Sequence, residues 1–223
     1  TQDADPPVGA GVYASPRREL LVRRGTRRSE EAPDFFTRDL LESYAVASYR
    51  AAQVLQKEAR PAEAEQALRD AWIASWSFPD IPLFLGYVQA NSGRMAEAAS
   101  SYAQADELFA EKLELAARYR ALPELVSAVR RQAAEAATHR GVALEKLGDR
   151  AGAQRHYYRA LALFPLAQTR FDLAVLAWGK DWAAAEEHLL EAVRLEPEHA
   201  AAVQYLAALR ARRPQYAPEC PQR

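Results

Sequence analysis

Two closely similar stretches decide the fold: GRMAEAASSYAQA at residues 93–105 and GDRAGAQRHYYRA at residues 148–160. In each stretch a glycine is followed by two alanines seven residues apart, with a tyrosine between them. A second glycine, Gly86 or Gly141, precedes each stretch by seven residues. Residues at this spacing share one helix face, so each stretch predicts a turn followed by a helix with a stripe of small residues. Repetition of such a unit is typical of repeat proteins.

Small residues continue in the same phase along most of the chain. The units begin near Ala45, Pro79, Ala134, Ala167 and Ala200. The first helix of each unit has one small site: Ala52, Gly86, Gly141, Ala174 and Ala207. The second helix has two: Ala64 and Ala71, Ala98 and Ala105, Ala153 and Ala160, Ala185 and Ala192. A large residue stands between those two: Leu68, Tyr102, Tyr157 or Leu189. Because helices approach closely only where side chains are small, the pattern predicts packed helix pairs with the large residue filling the gap.

These residues resemble the tetratricopeptide repeat, a helix–turn–helix unit of 34 residues with small residues at such sites. Pro165 and Pro197 stand where the closing proline of that family ends a unit. The resemblance implies an all-α fold: a right-handed superhelical solenoid of antiparallel helix pairs, with about four repeats and a capping helix. The implied repeats lie near residues 45–78, 79–112, 134–166 and 167–199, and the capping helix at residues 199–212.

The repeat domain is expected to span residues 34–213, between a basic, proline-rich extended arm at 1–33 and a tail at 214–223. A short strand is expected in the arm at Glu19–Arg23. Helical periodicity predicts nine helices: 35–58, 62–76, 81–92, 94–121, 123–147, 150–163, 167–178, 181–195 and 199–212. In the last of these, the residues expected to face inward are Val203, Leu206 and Leu209.

The stretch 113–133 exceeds the repeat length and predicts one elongated helical hairpin. The residues expected to close its two arms against each other are Leu113, Ala116, Leu125 and Val129. A tolerated insertion and a docking element for a partner both agree with this sequence.

Composition and motifs argue against several classes of function. With 49% hydrophobic and 26% charged residues the chain is typical of a folded protein, and a net charge of −1 gives no general attraction to nucleic acid. The histidines are far apart, and no HExxH, glycine-rich phosphate loop or Gly-x-Ser-x-Gly motif occurs. Cys220 is the single cysteine, so no internal disulfide forms. The sequence therefore predicts no catalytic residue, no metal site, no cofactor and no enzymatic activity.

The resemblance to the tetratricopeptide repeat implies a concave groove lined by the first helices, which holds a peptide or a partner protein. The residues that the family pattern places there are Tyr49, Gln53, Gln56, Leu83, Tyr87, Asn91, Thr138, Val142, Glu145, Phe171, Val175 and Trp178. They mix apolar anchors with amides and carry little charge. Gln53, Phe84, Glu135 and His139 stand near the sites where family members grip a terminal carboxylate, so we expect no such clamp.

The expected function is a non-enzymatic protein-interaction scaffold with a protein or peptide partner and without nucleic acid. Two alternatives stay open: a soluble tail of a multi-pass, glycosyltransferase-like membrane protein, and a bacterial envelope assembly factor. Membrane association would then act through a segment outside this sequence or through the basic arm. A preference for arginine over lysine favours a bacterial source. The compartment, cytoplasmic or periplasmic and envelope-associated, and the oligomeric state are not fixed by the sequence.

Overall fold

A computed structural model describes residues 35–75 and 77–212. Within these ranges the chain forms nine helices and no strand. They are α1 (Phe35–Lys57), α2 (Pro61–Ala74), α3 (Asp80–Asn91), α4 (Met95–Arg118), α5 (Pro123–Lys146), α6 (Arg150–Leu163), α7 (Ala167–Ala177), α8 (Trp182–Leu195) and α9 (Ala200–Arg212). The predicted helices are confirmed to within three residues at each end. The arm with its predicted strand and the tail with Cys220 lie outside the described residues.

The chain divides into two compact units between Leu108 and Phe109. Unit 1 holds α1, α2, α3 and residues 95–108 of α4, and unit 2 holds residues 109–118 of α4 together with α5 to α9. In unit 1, α1 packs on α2 and α2 on α3. In unit 2, α5 packs on α6, α6 on α7, α7 on α8 and α8 on α9. Within each unit these helices therefore contact their neighbours along the chain, as expected of a repeat protein.

In unit 1 the small residues lie at the helix contacts, as the sequence predicts. Ala52 of α1 and Leu68 of α2 are fully buried in one apolar cluster. In the next pair a glycine replaces the alanine and a tyrosine replaces the leucine. A Cβ atom built on Gly86 would lie 2.6 Å from Cε1 of Tyr102. The glycine of α3 therefore makes room for the tyrosine ring of α4.

Unit 2 repeats both kinds of contact. A Cβ atom built on Gly141 of α5 would lie 2.5 Å from Cε1 of Tyr157 of α6, so this is again a glycine–tyrosine contact. The following pair, α7 and α8, has Ala174 and Leu189 fully buried in one cluster. In every pair the sizes of the two residues are complementary: glycine on the first helix stands opposite tyrosine on the second, and alanine stands opposite leucine.

The last helix, α9, buries Leu206 and Leu209 against α8, as predicted. The prediction that Val203 also faces inward is wrong, because Val203 is 44% exposed. Ala202 is buried instead, and Ala202, Leu206 and Leu209 keep the spacing of four and three residues that one helix face requires. Ala207 stands at the small-residue site of this helix and is exposed.

Five helix-to-helix turns pass through the left-handed backbone region. Gly93, Gly148 and Gly179 have φ of 78°, 88° and 76°, a conformation that glycine adopts without strain. Ala59 and Arg120 adopt the same region with φ of 57° and 50°. Both close a Schellman-type helix end, since the following residue donates its backbone N–H to a carbonyl five residues back, at 2.9 Å in each case. A side chain at these two turns carries a conformational cost that the glycines avoid.

The elongated hairpin is present as two helices of 24 residues each, α4 and α5. Three of the four residues predicted to face between its arms are half-buried: Leu113, Ala116 and Val129. The prediction for Leu125 is wrong, since this side chain is 59% exposed. Val126 is half-buried in its place, because Val126 and Val129 lie one helical turn apart on one face.

Candidate partner-binding surfaces

The first helices of unit 1 lie side by side. The ring of Tyr49 on α1 contacts the ring of Phe84 on α3 edge-to-face, with 5.7 Å between centroids. The six predicted groove residues of this unit are on these two helices: Tyr49, Gln53, Gln56, Leu83, Tyr87 and Asn91. Gln53, Tyr87 and Asn91 are exposed, whereas the other three are half-buried. The structure therefore places these residues on neighbouring helices, with three of them open to solvent.

Four rings form what we call the unit 1 aromatic cluster: Tyr49, Phe78, Phe84 and Tyr87. Tyr49 contacts Phe78 edge-to-face at 6.2 Å, and Phe84 stacks on Tyr87 at 5.9 Å. Phe78 is 36% exposed and Tyr87 is 43% exposed. Exposed aromatic side chains that pack against other rings offer apolar surface and lose little conformational entropy when a partner binds. Such rings are typical of the residues that anchor a binding partner.

Amide and acidic groups surround this cluster. Gln53 hydrogen-bonds to Tyr49, and Asp80 stands near the same ring. Burial, together with the nearby Asp80 carboxylate, raises the pKa of Tyr49, so its hydroxyl stays protonated at neutral pH. Gln56 has its amide oxygen enclosed and without a hydrogen-bond partner among the described residues. The polar groups named beside the rings are thus two amides and a carboxylate, and none of them is a cation.

In unit 2 the prediction for Thr138 is wrong, since it is only 4% exposed and does not line a surface. Its hydroxyl lies 2.8 Å from the backbone oxygen of Ala134 and 2.6 Å from the hydroxyl of Thr169 on α7. Because a buried hydroxyl needs a partner, this pair joins α5 to α7 inside the unit. The sequence pattern gave no sign of it, because threonine suits both an exposed and a buried site.

Val142 and Glu145, also predicted for the groove, are half-buried on α5. Val142 packs against the cluster that contains Tyr157, and the Tyr157 hydroxyl donates to Glu145 at 3.0 Å. Asp172 of α7 lies close enough to Tyr157 and Glu145 to interact with both electrostatically. Glu145 is therefore committed to an internal hydrogen bond.

Asp172 is the titratable group that sequence analysis missed. Its Oδ1 accepts a hydrogen bond from Gln168 at 2.8 Å, and its Oδ2 is enclosed without a partner among the described residues. Burial, with a smaller contribution from Glu145, raises the pKa of Asp172 to about 7. The one sequence signal is an aspartate within the otherwise apolar run Phe171–Ala177.

A second group of rings, the unit 2 aromatic cluster, comprises Phe171, Trp178, Trp182 and Tyr205. Tyr205 of α9 contacts Phe171 at 5.2 Å and Trp178 at 5.0 Å, and Trp178 contacts Trp182 at 5.1 Å. Phe171 and Trp178 were predicted for the groove, together with Val175, and all three are half-buried. Tyr205, which the pattern did not indicate, is the more exposed ring.

The antiparallel helix pairs, the glycine and alanine contacts and the exposed rings on first helices define an all-α, tetratricopeptide-repeat-like protein. Solved structures of such proteins are similar to this chain. MamA (41-end) from Desulfovibrio magneticus RS-1 has a TM-score of 0.57 and 19% identity, over 77% of this chain and 86% of that one. BtubC from P. vanneervenii has a TM-score of 0.56 and 19% identity, over 93% and 95%. The N-terminal domain of STI-1 from C. elegans has a TM-score of 0.50 and 18% identity, over 61% and 96%.

At these identities the likeness shows the fold, and it confirms the all-α helical repeat that the sequence predicts. No protein-family model matches the chain, and no curated protein matches its sequence. Among the described helices, none has the length and apolar content needed to cross a membrane.

Proposed function

We propose that this chain is a non-enzymatic scaffold that binds a peptide segment of a partner protein on the first-helix face of unit 1. The supporting observation is the unit 1 aromatic cluster, in which Tyr87 and Phe78 stay exposed while Tyr49 and Phe84 support them. Rings fixed in this way bind apolar side chains at a small entropic cost. A surface of this kind favours a peptide with aromatic or aliphatic anchors.

The neutral amides around the cluster favour recognition of peptide backbone rather than of charge. Gln53 and Asn91 are exposed on α1 and α3 and offer both donors and acceptors. Asp80, near the Tyr49 ring, disfavours an acidic residue at this place. We therefore expect a largely apolar, neutral or weakly basic segment, and the unit 2 aromatic cluster gives a second surface of similar character.

Selection of peptides from a random library on the full chain, followed by affinity measurement, tests the proposal. Tyr87→Ala removes an exposed ring and should weaken the selected peptides at least about tenfold, the usual effect of losing an aromatic hot spot. Tyr119→Ala is the matched control, because Tyr119 is a 76% exposed tyrosine on the hairpin. Equal affinity of the parent and Tyr87→Ala for every selected peptide would contradict the proposal.

For unit 2 the variant of choice is Tyr205→Ala rather than Trp178→Ala. Trp178 is half-buried against the core of α7, α8 and α9, so its removal would also lower stability. Melting temperature and helicity should be measured for each variant, so that a loss of binding is separated from a loss of fold.

A further inference from the structure

A concave site lies in unit 2, on the side formed by the second helices. It is a cleft of about 330 Å³ between α6 and α8, with α7 as its floor. The floor is apolar and contains Leu173, Leu176 and Ala177. None of the predicted groove residues lines this cleft. Its volume is at the lower end of ligand pockets, which is sufficient for one or two side chains and too small for a helix.

The rim of this cleft is rich in hydrogen-bond donors. Arg150, Gln154 and Tyr158 line it from α6, and Lys180 lines it from the turn before α8. The guanidinium of Arg150 donates to the backbone oxygen of Leu176 at 2.6 Å, which fixes this cation above the floor while its other N–H groups stay available. Both α6 and α8 begin at the rim and α7 ends at the floor, so the positive ends of two helix dipoles outnumber the one negative end there.

The single carboxylate among the residues that line the cleft belongs to Asp181. It is already engaged, since its Oδ1 accepts the backbone N–H of Ala184 at 2.9 Å and caps α8. The two cations of the rim, Arg150 and Lys180, are thus opposed by one carboxylate, which is engaged in the N-terminal cap of α8. The balance of charge in the cleft favours an anion.

A buried histidine supplies a further donor. His188 lines the cleft and is only 7% exposed. Its Nδ1 lies 3.3 Å from a guanidinium nitrogen of Arg170, and since arginine only donates, Nδ1 accepts and Nε2 carries the hydrogen. No residue in the described part of the chain accepts from Nε2. Burial and the neighbouring Arg170 lower the pKa of His188, which keeps this neutral form at physiological pH.

We propose that this cleft binds an acidic residue of a partner peptide next to an aliphatic one. The carboxylate lies between Arg150 and Lys180 and accepts from the donors of Tyr158 and His188, and the aliphatic side chain covers Leu176 and Ala177, the less enclosed part of the floor. The chemistry fits a carboxylate better than a phosphate, because Arg150 already spends one donor on Leu176 and Lys180 is the one other full cation on the rim. The site is thus complementary to an acidic segment, in contrast to the unit 1 aromatic cluster.

Titration of the isotope-labelled full chain with the capped peptide Gly-Leu-Asp-Leu-Gly tests this inference. Backbone shifts should concentrate at the start of α6, at residues 176–184 and near His188. The Asn version of the peptide should bind at least about tenfold more weakly, since it lacks the charge. Shifts spread over the whole surface, equal binding of the two peptides, or tighter binding of inorganic phosphate than of the Asp peptide would each overturn the inference.

Charge-reversal variants locate the binding. Lys180→Glu should weaken the Asp peptide at least about fivefold, as expected for a rim charge that changes sign. Arg155→Glu is the matched control, because Arg155 is exposed on α6, outside the cleft, and the net charge changes equally. A drop of the same size in both variants would indicate general charge attraction and overturn the inference.

Tyr158→Phe removes one hydroxyl without a change of charge and should also weaken binding. Tyr87→Ala should leave this titration unchanged, so that the proposal for the unit 1 aromatic cluster and the proposal for this cleft are tested independently.

Discussion

The contact between Gly141 and Tyr157 gives the sharpest test of how the helix pairs are held together. In Gly141→Ala the added Cβ would lie 2.5 Å from Cε1 and 2.7 Å from Cδ1 of Tyr157. The ring has little room to move, because Tyr157 is fully buried and its hydroxyl is bonded to Glu145 at 3.0 Å. The helices must therefore separate, or the ring must leave its preferred position.

The expected magnitude follows from two opposing contributions. Overpacking of a tight core contact costs about 1–3 kcal/mol, whereas alanine is better than glycine in a helix by about 1 kcal/mol. Because a contact of 2.5 Å is shorter than real Cβ atoms make, the upper part of the overpacking range, about 2–3 kcal/mol, applies, and we expect Gly141→Ala to lower the free energy of unfolding by about 1–2 kcal/mol. Ala128→Gly, at an exposed site of the same helix, measures the backbone contribution alone. Urea unfolding followed by circular dichroism gives both values.

A double-mutant cycle then isolates the contact. Tyr157→Leu alone should destabilise the protein through a cavity. Combined with Gly141→Ala, it recreates the alanine–leucine pairing found at Ala52 and Leu68, and the two substitutions should offset each other by at least about 1 kcal/mol. Strictly additive effects, or a Gly141→Ala protein as stable as the parent, would refute the steric reasoning.

Three further predictions concern buried charge and backbone strain. The folded chain keeps the proton of Asp172 up to a pKa of about 7, whereas the unfolded chain releases it near 3.8, so this group lowers stability as the pH rises through that interval. Asp172→Asn should therefore raise the free energy of unfolding by up to about 4 kcal/mol at pH 8 and by little at pH 4, and equal effects in urea unfolding at the two pH values would contradict this. Ala59→Gly should stabilise the turn by about 1 kcal/mol in thermal unfolding, since the residue has positive φ, and a lower melting temperature would be the opposite result. Glu65 of α2 is nearly buried and forms ion pairs with Arg69, at 2.7 Å, and with Arg94 before α4. Glu65→Gln should therefore lower the free energy of unfolding by about 1–2 kcal/mol, and Glu97→Gln, which weakens the more exposed ion pair of Arg94, should lower it less.

The sequence predicted the helices well because the signal is steric and repeats. Two helix backbones approach closely only where a small residue lies between them, as at Ala52, Gly86, Gly141 and Ala174. The small residues seen in the sequence therefore mark the helix contacts directly. Errors arose where the choice between neighbouring residues depends on helix rotation. Leu125 and Val203 are as apolar as the residues that are buried beside them, and only the observed phase of each helix decides which one faces inward.

The candidate surfaces were harder to predict than the fold. Positions on first helices follow from the repeat, but the use of each side chain depends on what faces it from another helix. Thr138 is hydrogen-bonded to Thr169, and Glu145 accepts a hydrogen bond from Tyr157, and both contacts join residues far apart in sequence. The cleft beside His188 could not be found in the sequence for the same reason, because its lining comes from three helices with no shared motif.

The matched sizes at the helix contacts also bear on how the chain avoids misfolding. Arrays of similar modules risk exchange of one module's helix for that of its neighbour. Within each unit, consecutive pairs differ in kind: alanine with leucine beside glycine with tyrosine. An exchange would set a ring against a methyl group or leave a void over a glycine, so each helix has one energetically acceptable partner in its own unit.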